Sequence, residues 1–520
     1  MTGWAVPKRG FMGAVWGAGL GFLAAGMELT TLAAQQTLPS GFGGFVALGL
    51  VDLLLMGTAT VVLGLVVAPL HLLFARARAS TAIATHLTVT GFLLCGFYLW
   101  QAAWLIYTDQ RAPAAYAMAA MPLGFTGMVY FNSRFLLRRH EAGRGYALPW
   151  LPTAFAAGLA LIVLSGVFQA ARDTGGPYAL QDDRNVVIVT LDRADALPET
   201  VVEALPGAVV FTDAVTPSPH ARPAAAALLT GLHPLRNRTL FDDSVLPWHY
   251  TTLAETLADE GYATGAFVST PEVQADSGLQ QGFKVYDDDF SPLVPGLLRL
   301  NLARHLLGTA GWERSAADTV DRFTGWLEGK VEHPFFAWLH LPAGGESAIP
   351  DVLAALEPVE DETLVVLTAT RGTGTNDDRL LADERIGVPL VLRIPGLDVQ
   401  KAVIPQQLRL MDVAVTATTW LAVEAPETEG LDLAGYPRNE RTNTLGTSLL
   451  GRTADGVIQL GLRNNGVKFV TTLGTDDVLL FRLEDDPDER KNLAALQPNA
   501  VEQAQRLLAP DSIRLEKLLR

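Results

Sequence analysis

NVVIVTLD, residues 185–192, is an unbroken run of apolar and β-branched residues that ends in a carboxylate. Such a run fits a strand buried on both faces of a parallel sheet, with Asp192 at its carboxyl end. Ligands of open α/β sheets bind at that end. TLVVLTA (363–369) has the same shape, and VPLVLRIPG (388–396) is a third run. Between them lie helical patterns such as TTLAETLADEGY (251–262), which closes on an acidic turn and a glycine. Strands alternating with helices predict an α/β domain with a mainly parallel central sheet.

Everything before this domain has a different composition. Residues 1–172 carry four acidic residues (Glu28, Asp52, Asp109, Glu141) against ten Lys and Arg, whereas 51 acidic and 29 basic residues follow. Five apolar stretches, about 11–34, 44–74, 83–107, 113–133 and 149–170, are each long enough to cross a bilayer, which takes roughly 20 residues. The first is longer than a signal-peptide core and further spans follow it, so it reads as an uncleaved anchor. Lys8 and Arg9, then Arg76 and Arg78, then Arg134, Arg138, Arg139 and Arg144 mark alternate loops. By the positive-inside rule the N-terminus is cytoplasmic and the long C-terminal part lies outside, in a bacterial periplasm or its equivalent. The expected organisation is a five-helix transmembrane bundle over 1–172, a linker at 173–184 and a soluble domain over 185–520, with a C-terminal subdomain at roughly 440–520.

Glu28 and Asp52 fall near the outer ends of the first two spans. Hydrated helix ends are the expectation there; the functional reading is a site for a cationic lipid headgroup or a partner helix. The single cysteine, Cys95, excludes an intrachain disulfide framework. An acidic domain lacks the basic footprint of a nucleic-acid partner. In PGLLRLNLARHLLGTAGW (295–312) the leucines form an approximate helical stripe. That stripe packs on its own domain, or also touches the membrane surface or the membrane domain.

NVVIVTLD, FTDAVTPSPHARPAAAALLTGLHPLRNR (211–238), LAETLADEGYATGAFVS, GFKVYDD, HPFFAWLH, VPLVLRIPG and LFRLEDDPDERKNLA, in this order over 185–495, resemble the sulfatase branch of the alkaline phosphatase superfamily. Five spans ahead of such a domain are similar to the membrane-bound lipoteichoic acid synthases and phosphoethanolamine transferases. The resemblance implies a nucleophile at a helix N-terminus, activated by one or two divalent ions. It also implies an Asp after the first strand and an Asp-His pair after a later one as metal ligands, with helix amides adding anion affinity.

Aligned on LLTG, the nucleophile position is Ala221, followed by Arg222, Pro223, Ala224 and Ala225. A methyl group cannot attack sulfur or phosphorus. Asp192 is kept, but its neighbour is Arg193, and Thr370-Arg371-Gly372 stands where the family has Asp-His-Gly. Guanidinium cannot ligate a metal, although it can supply the positive charge itself. Asp377 and Asp378 are a candidate displaced ligand pair or an acidic surface loop. His340 matches the family frame, but LPAGGESA follows it, and alone it reads as a hydrogen-bonding strand-end histidine. Ser218 and Thr216 lie upstream of the helix start. The resemblance therefore implies a degenerate site with no catalytic residue, no metal and no cofactor: a pseudoenzyme acting as a scaffold, receptor or subunit of a cell-envelope complex, with a protein partner or a second copy. A binding module that holds an anionic or lipid-linked ligand through Arg222, Arg371, His340 and Asp192 is the second reading. An active, metal-dependent sulfatase, phosphatase or headgroup transferase with relocated residues is the third.

Overall fold

The computed structural model describes Phe42–Val67, isolated helical residues elsewhere before position 139, and residues 184–519 apart from 291–311, 329–333, 375–378, 398, 400–401, 439, 441–444 and 465. Asp377, Asp378 and nearly all of the 295–312 segment lie outside the described residues. The chain divides into two compact units, the second of which comprises Pro177–Asp288 and Trp312–Arg520.

In the N-terminal unit, helix α1 (Phe42–Val67) carries no charge in its first or last turn. Its Ala47–Val67 portion is long and apolar enough to cross a membrane. The other four expected spans fall largely outside the described residues.

The second unit is built on an eight-stranded sheet in the order β4-β3-β5-β1-β6-β7-β2-β8. β1 (Asn185–Arg193) is central, parallel on one side to β5 (Phe335–Leu341) and on the other to β6 (Thr363–Arg371). The NVVIVTLD and TLVVLTA runs lie side by side, with Val187 opposite Val365 and Arg193 opposite Arg371. The first eight residues of β1, all of β5 and the first eight of β6 are buried, which is why their sequences show no polar alternation. β3 (Ala263–Val268) and β4 (Val285–Asp287) continue the parallel half beyond β5. β2 (Val209–Val215) pairs in parallel with β8 (Val403–Arg409) at the other edge.

β7 (Gly387–Arg393) alone among the described strands of this sheet runs against its neighbours, β6 and β2. The chain after β6 folds straight back instead of crossing over. Gly372 N–H donates to Arg385 O at 2.9 Å and Gly374 N–H to Glu384 O at 2.8 Å. A Cβ on Gly372 would stand 2.4 Å from that Glu384 oxygen, so the return requires glycine.

Helices cover the sheet: α2 (Ala221–Thr230), α3 (Leu253–Asp259), α4 (Ala316–Leu327), α5 (Ile349–Leu356) and α6 (Asp412–Leu421). The helix expected within 251–262 is α3. Thr252 and Glu255 close it with a capping box, satisfying backbone N–H groups that helix geometry leaves unpaired. The C-terminal part adds a four-stranded antiparallel sheet, β9 (Thr447–Arg452), β10 (Ile458–Asn464), β11 (Val467–Thr472) and β12 (Val478–Arg482), then helix α7 (Pro498–Leu519). Leu450, Leu460, Phe469 and Leu480 from these strands pack on Leu508 and Leu515 of α7.

The DDPDER turn after β12 is held by charge. Glu489, with φ of 53°, is buried and pairs with the enclosed Lys468 at 2.5 Å; Lys468 also reaches Asp383 at 2.8 Å. Arg463 joins Asp383 to Asp213 of β2. The turn signature is thus the outer end of an ion network rooted in the main sheet.

Gly372→Ala should lower stability by about 1–3 kcal/mol, because its new methyl meets backbone that cannot rotate away. Thermal unfolding of the detergent-purified chain measures this, and an unchanged midpoint would show that the β6–β7 return tolerates a side chain.

Candidate functional site

The carboxyl ends of β1 and β6 meet the N-terminus of α2, and the residues singled out from the sequence gather there in two clusters. In the first, Asp192 is buried at the end of β1. Arg371, in register at the end of β6, places Nη2 at 3.0 and 3.1 Å from the two Asp192 oxygens. Arg193 adds its Nε at 3.1 Å from Oδ2. Thr370 Oγ1 donates to the Asp192 carbonyl at 2.8 Å, tying the strand ends together. The carboxylate expected to face a cation therefore faces two guanidinium groups of its own chain.

In the second cluster, Ala221 opens α2 with no exposed surface, and Ala224, Ala225, Ala226 and Ala227 are equally enclosed. Alanine has the highest helix propensity, so the segment keeps its helix while presenting nothing but methyl groups. Asp242 sits over the first turn. Its Oδ1 accepts from Arg222 N–H at 3.1 Å and its Oδ2 from the His220 ring at 3.0 Å. His220 Nε2 accepts from Arg452 N–H at 3.0 Å, so the proton of the neutral ring is on Nδ1, facing Asp242. Burial works against the Asp242 charge, but the hydrogen bonds from His220 and Arg222, together with the nearby charges, hold its carboxyl below the usual carboxylate range. The positive end of the helix thus meets an internal anion.

The remaining candidates are structural in their contacts. Arg222 spends Nε on Glu272 O at 2.7 Å and Nη1 on Ser244 O at 2.9 Å. His340 has no exposed surface, and its ring nitrogens lie 2.9 Å from Thr190 Oγ1 and 3.1 Å from Thr270 Oγ1. Burial pushes its imidazole down to about 4; the Asp192 charge pulls the other way and that of Arg371 reinforces the shift. Ser218 and Thr216 are enclosed, with Ser218 Oγ accepting from His220 N–H at 3.3 Å and Thr216 Oγ1 donating to Ser218 O at 3.2 Å. His220 and Asp242 carried no signal in the sequence beyond their types, because their partners lie 22 and 232 residues apart.

A cleft of about 540 Å³ opens beside His220, lined by Asp242, Asp243, Arg385, Arg452 and the 453–456 turn. Arg452 is held at its rim by Asp243 at 2.7 Å and by the face of Phe241, 4.2 Å from the ring centre.

The metal that this fold implies does not fit these residues. Asp192 is engaged by Arg371 and Arg193, Thr370 donates its hydroxyl to backbone, and no group of three His, Cys, Asp or Glu side chains suited to a metal ion occurs among the described residues.

The acids of the N-terminal unit differ from expectation. Glu28 is 3% exposed and Asp52 0%, so both are buried where hydrated helix ends were expected.

The Sulfatase family model matches residues 192–344. No curated protein matches the sequence. Among solved structures, the phosphonate monoester hydrolase of Agrobacterium radiobacter is similar at 17% identity and a TM-score of 0.50, covering 64% of this chain and 96% of its own. YidJ of Bacteroides fragilis is similar at 15% identity and a TM-score of 0.51, covering 65% and 98%. BT1596, a 2-O GAG sulfatase, is similar at 16% identity and a TM-score of 0.50, covering 64% and 92%. The C-terminal unit therefore has a sulfatase-like fold.

Two outcomes follow from the site's electrostatics. Arg371→Ala should cost about 3–5 kcal/mol by stripping a buried carboxylate of its main partner, and Asp192→Asn in the same chain should recover most of it; a double-mutant cycle by thermal unfolding reads both. His340 binds its proton less readily folded than unfolded, where the value is near 6.5. Its contribution is therefore complete above that pH and is lost as pH falls towards about 4, a loss on the order of 3 kcal/mol. His340→Gln should flatten the stability profile in that window, and an equally steep profile would refute the assignment.

Proposed function

We propose that this chain is a membrane-anchored pseudoenzyme: a sulfatase-like domain without catalysis that acts through its surfaces, as scaffold, receptor or subunit of a cell-envelope complex. The observation that carries the reading is the hold of Arg371 on Asp192. Where the family chemistry needs a divalent ion, a fixed monocation belongs to the protein. The hold of Asp242 on the first turn of α2 supports it from the other side, since an internal anion sits where an anionic substrate would approach, above a methyl group in place of a nucleophile.

Membrane anchoring draws support from α1. Leu50, Leu54, Val62, Leu65 and Val66 are exposed, while Leu53, Met56 and Thr60 are buried. A helix with an apolar outer face suits lipid, not water. With the loop charges, this supports a bacterial inner-membrane protein whose N-terminus is cytoplasmic and whose C-terminal domain is periplasmic.

A second reading has one observation in its favour. The cleft beside His220 carries Arg385 and Arg452 among its lining residues, a setting for an anionic or lipid-linked ligand that is held without turnover.

The purified chain should carry no stoichiometric transition metal and turn over no aryl sulfate, aryl phosphate or lipid headgroup. Loss of nucleophile and metal removes most of an acceleration that amounts to roughly 8–23 kcal/mol in enzymes. Ala221→Thr alone should not restore activity. One bound zinc, manganese or calcium ion with chelator-sensitive hydrolysis would overturn the proposal. Purification from the native host, with mass spectrometry of what is retained, separates scaffold from ligand holder.

A further inference from the structure

His220 and His233 flank α2, the first as its N-cap and the second just beyond its C-cap Gly231, and both reach the same neighbour. β9 is the edge of the C-terminal sheet, so alternate backbone groups along it point away from β10 and need partners elsewhere. They find them on the segments around α2. Ser448 O lies 3.0 Å from His233 Nε2, Leu450 N–H donates to Pro217 O at 3.0 Å, and Arg452 N–H donates to His220 Nε2 at 3.0 Å. The C-terminal sheet is fastened to the main one by a ladder whose outer rungs are imidazoles.

The two rings play opposite parts. His233 Nδ1 accepts from Leu235 N–H at 3.2 Å, so its Nε2 carries the proton and donates to Ser448 O. It is buried, and burial pushes its imidazole below the ordinary value. His220 accepts through Nε2 and lines the open cleft. A proton on that nitrogen would set N–H against N–H. The same proton would strengthen the pull of Asp242 on the other side of the ring. The ring therefore stays with α2, and the strand end lets go. Asp242 and Asp243 face the ring from one loop, Arg452 from β9, Arg385 and Asp455 from the cleft and Arg222 from α2; Arg371 acts on Asp242 from β6. The new charge would repel Arg452, whose pairing with Asp243 is half open to solvent, at 33% and 66% exposure, and holds it weakly.

Release is local. Ser448 and Leu450 keep their partners, and the turn beyond Arg452 is closed on itself by Thr453 N–H to Val457 O at 2.8 Å. The end of β9 and the 453–456 turn then shift as one piece, and that piece is a wall of the cleft.

We propose that His220 is an acid-released latch: neutral, it fastens the end of β9 to α2 and fixes the cleft wall; protonated, it frees that wall. The inference stands on this geometry whether or not the cleft holds a ligand. Amide hydrogen exchange of the full-length chain in detergent tests it, resolved to single residues and corrected for the intrinsic effect of pH. The comparison is between about pH 7.5 and about pH 5.5, across which an ordinary histidine titrates. In wild type the Arg452 amide should lose about three- to tenfold in protection on acidification, the worth of one hydrogen bond, while Leu450 stays constant. His220→Gln, whose amide oxygen can accept the same N–H at either pH, should keep Arg452 protected throughout, and His220→Ala should leave it open throughout. Protection of Arg452 in wild type that does not change with pH overturns the latch, and wild type alone decides this should His220→Gln fail to accumulate. An equal fall in His220→Gln also overturns it, as does a fall shared by the Leu235 amide, which would place the titration at His233.

Discussion

The ion pair between Arg371 and Asp192 ties the fold's architecture to its chemistry. β1 and β6 are neighbours in register, so residues at their carboxyl ends must meet at the sheet's ligand-binding edge. A carboxylate enclosed at that edge needs a counter-charge, because its desolvation costs several kcal/mol when unpaired. An enzyme of this fold can draw the charge from an ion and put it to use. Here the adjoining strand supplies it covalently, in a group that can neither leave nor accept an incoming lone pair. The Asp242 carboxylate over the first turn of α2 is the complementary closure, and the two together leave the strand ends and the helix N-terminus electrostatically self-sufficient.

Which parts were legible in the sequence follows from what is local. β1 and β6 were legible because strands buried on both faces leave an unbroken apolar signature. The alanines of α2 and Thr370-Arg371 were legible because a short motif fixes their place in the chain. The reversed direction of β7 was not, since it depends on Gly372 and Gly374 pairing across a turn rather than on the strand's own residues. His220 and Asp242 were missed because each acquires meaning only from partners remote in the chain. Glu28 and Asp52 were misjudged as hydrated because depth along a span says nothing about which face of a helix is covered.

The LEDDPDER turn is a sequence signature with a structural reason. Its acid Glu489 is paired with the enclosed Lys468, which also holds Asp383, and Asp383 is joined through Arg463 to β2. Burial opposes the charge on Asp383, but Lys468 and Arg463 overcome it and hold the carboxyl below its ordinary value. Removing Lys468 would take the nearest counter-charge from the buried Glu489, so this network is constrained by stability whether or not the domain catalyses anything.

Arg184, immediately before β1, donates to the carbonyl oxygens of Trp420 and Leu421 at the end of α6 and stacks over the Trp420 ring. The chain therefore enters the domain through a clamp and continues at once into the central strand, with parallel ladders on both flanks. A pull along the preceding segment would load β1 along its own axis. Both rows of hydrogen bonds would then bear the force simultaneously, in shear, instead of opening one after another from an edge. Mechanically, such a pull would enter the domain through its central strand.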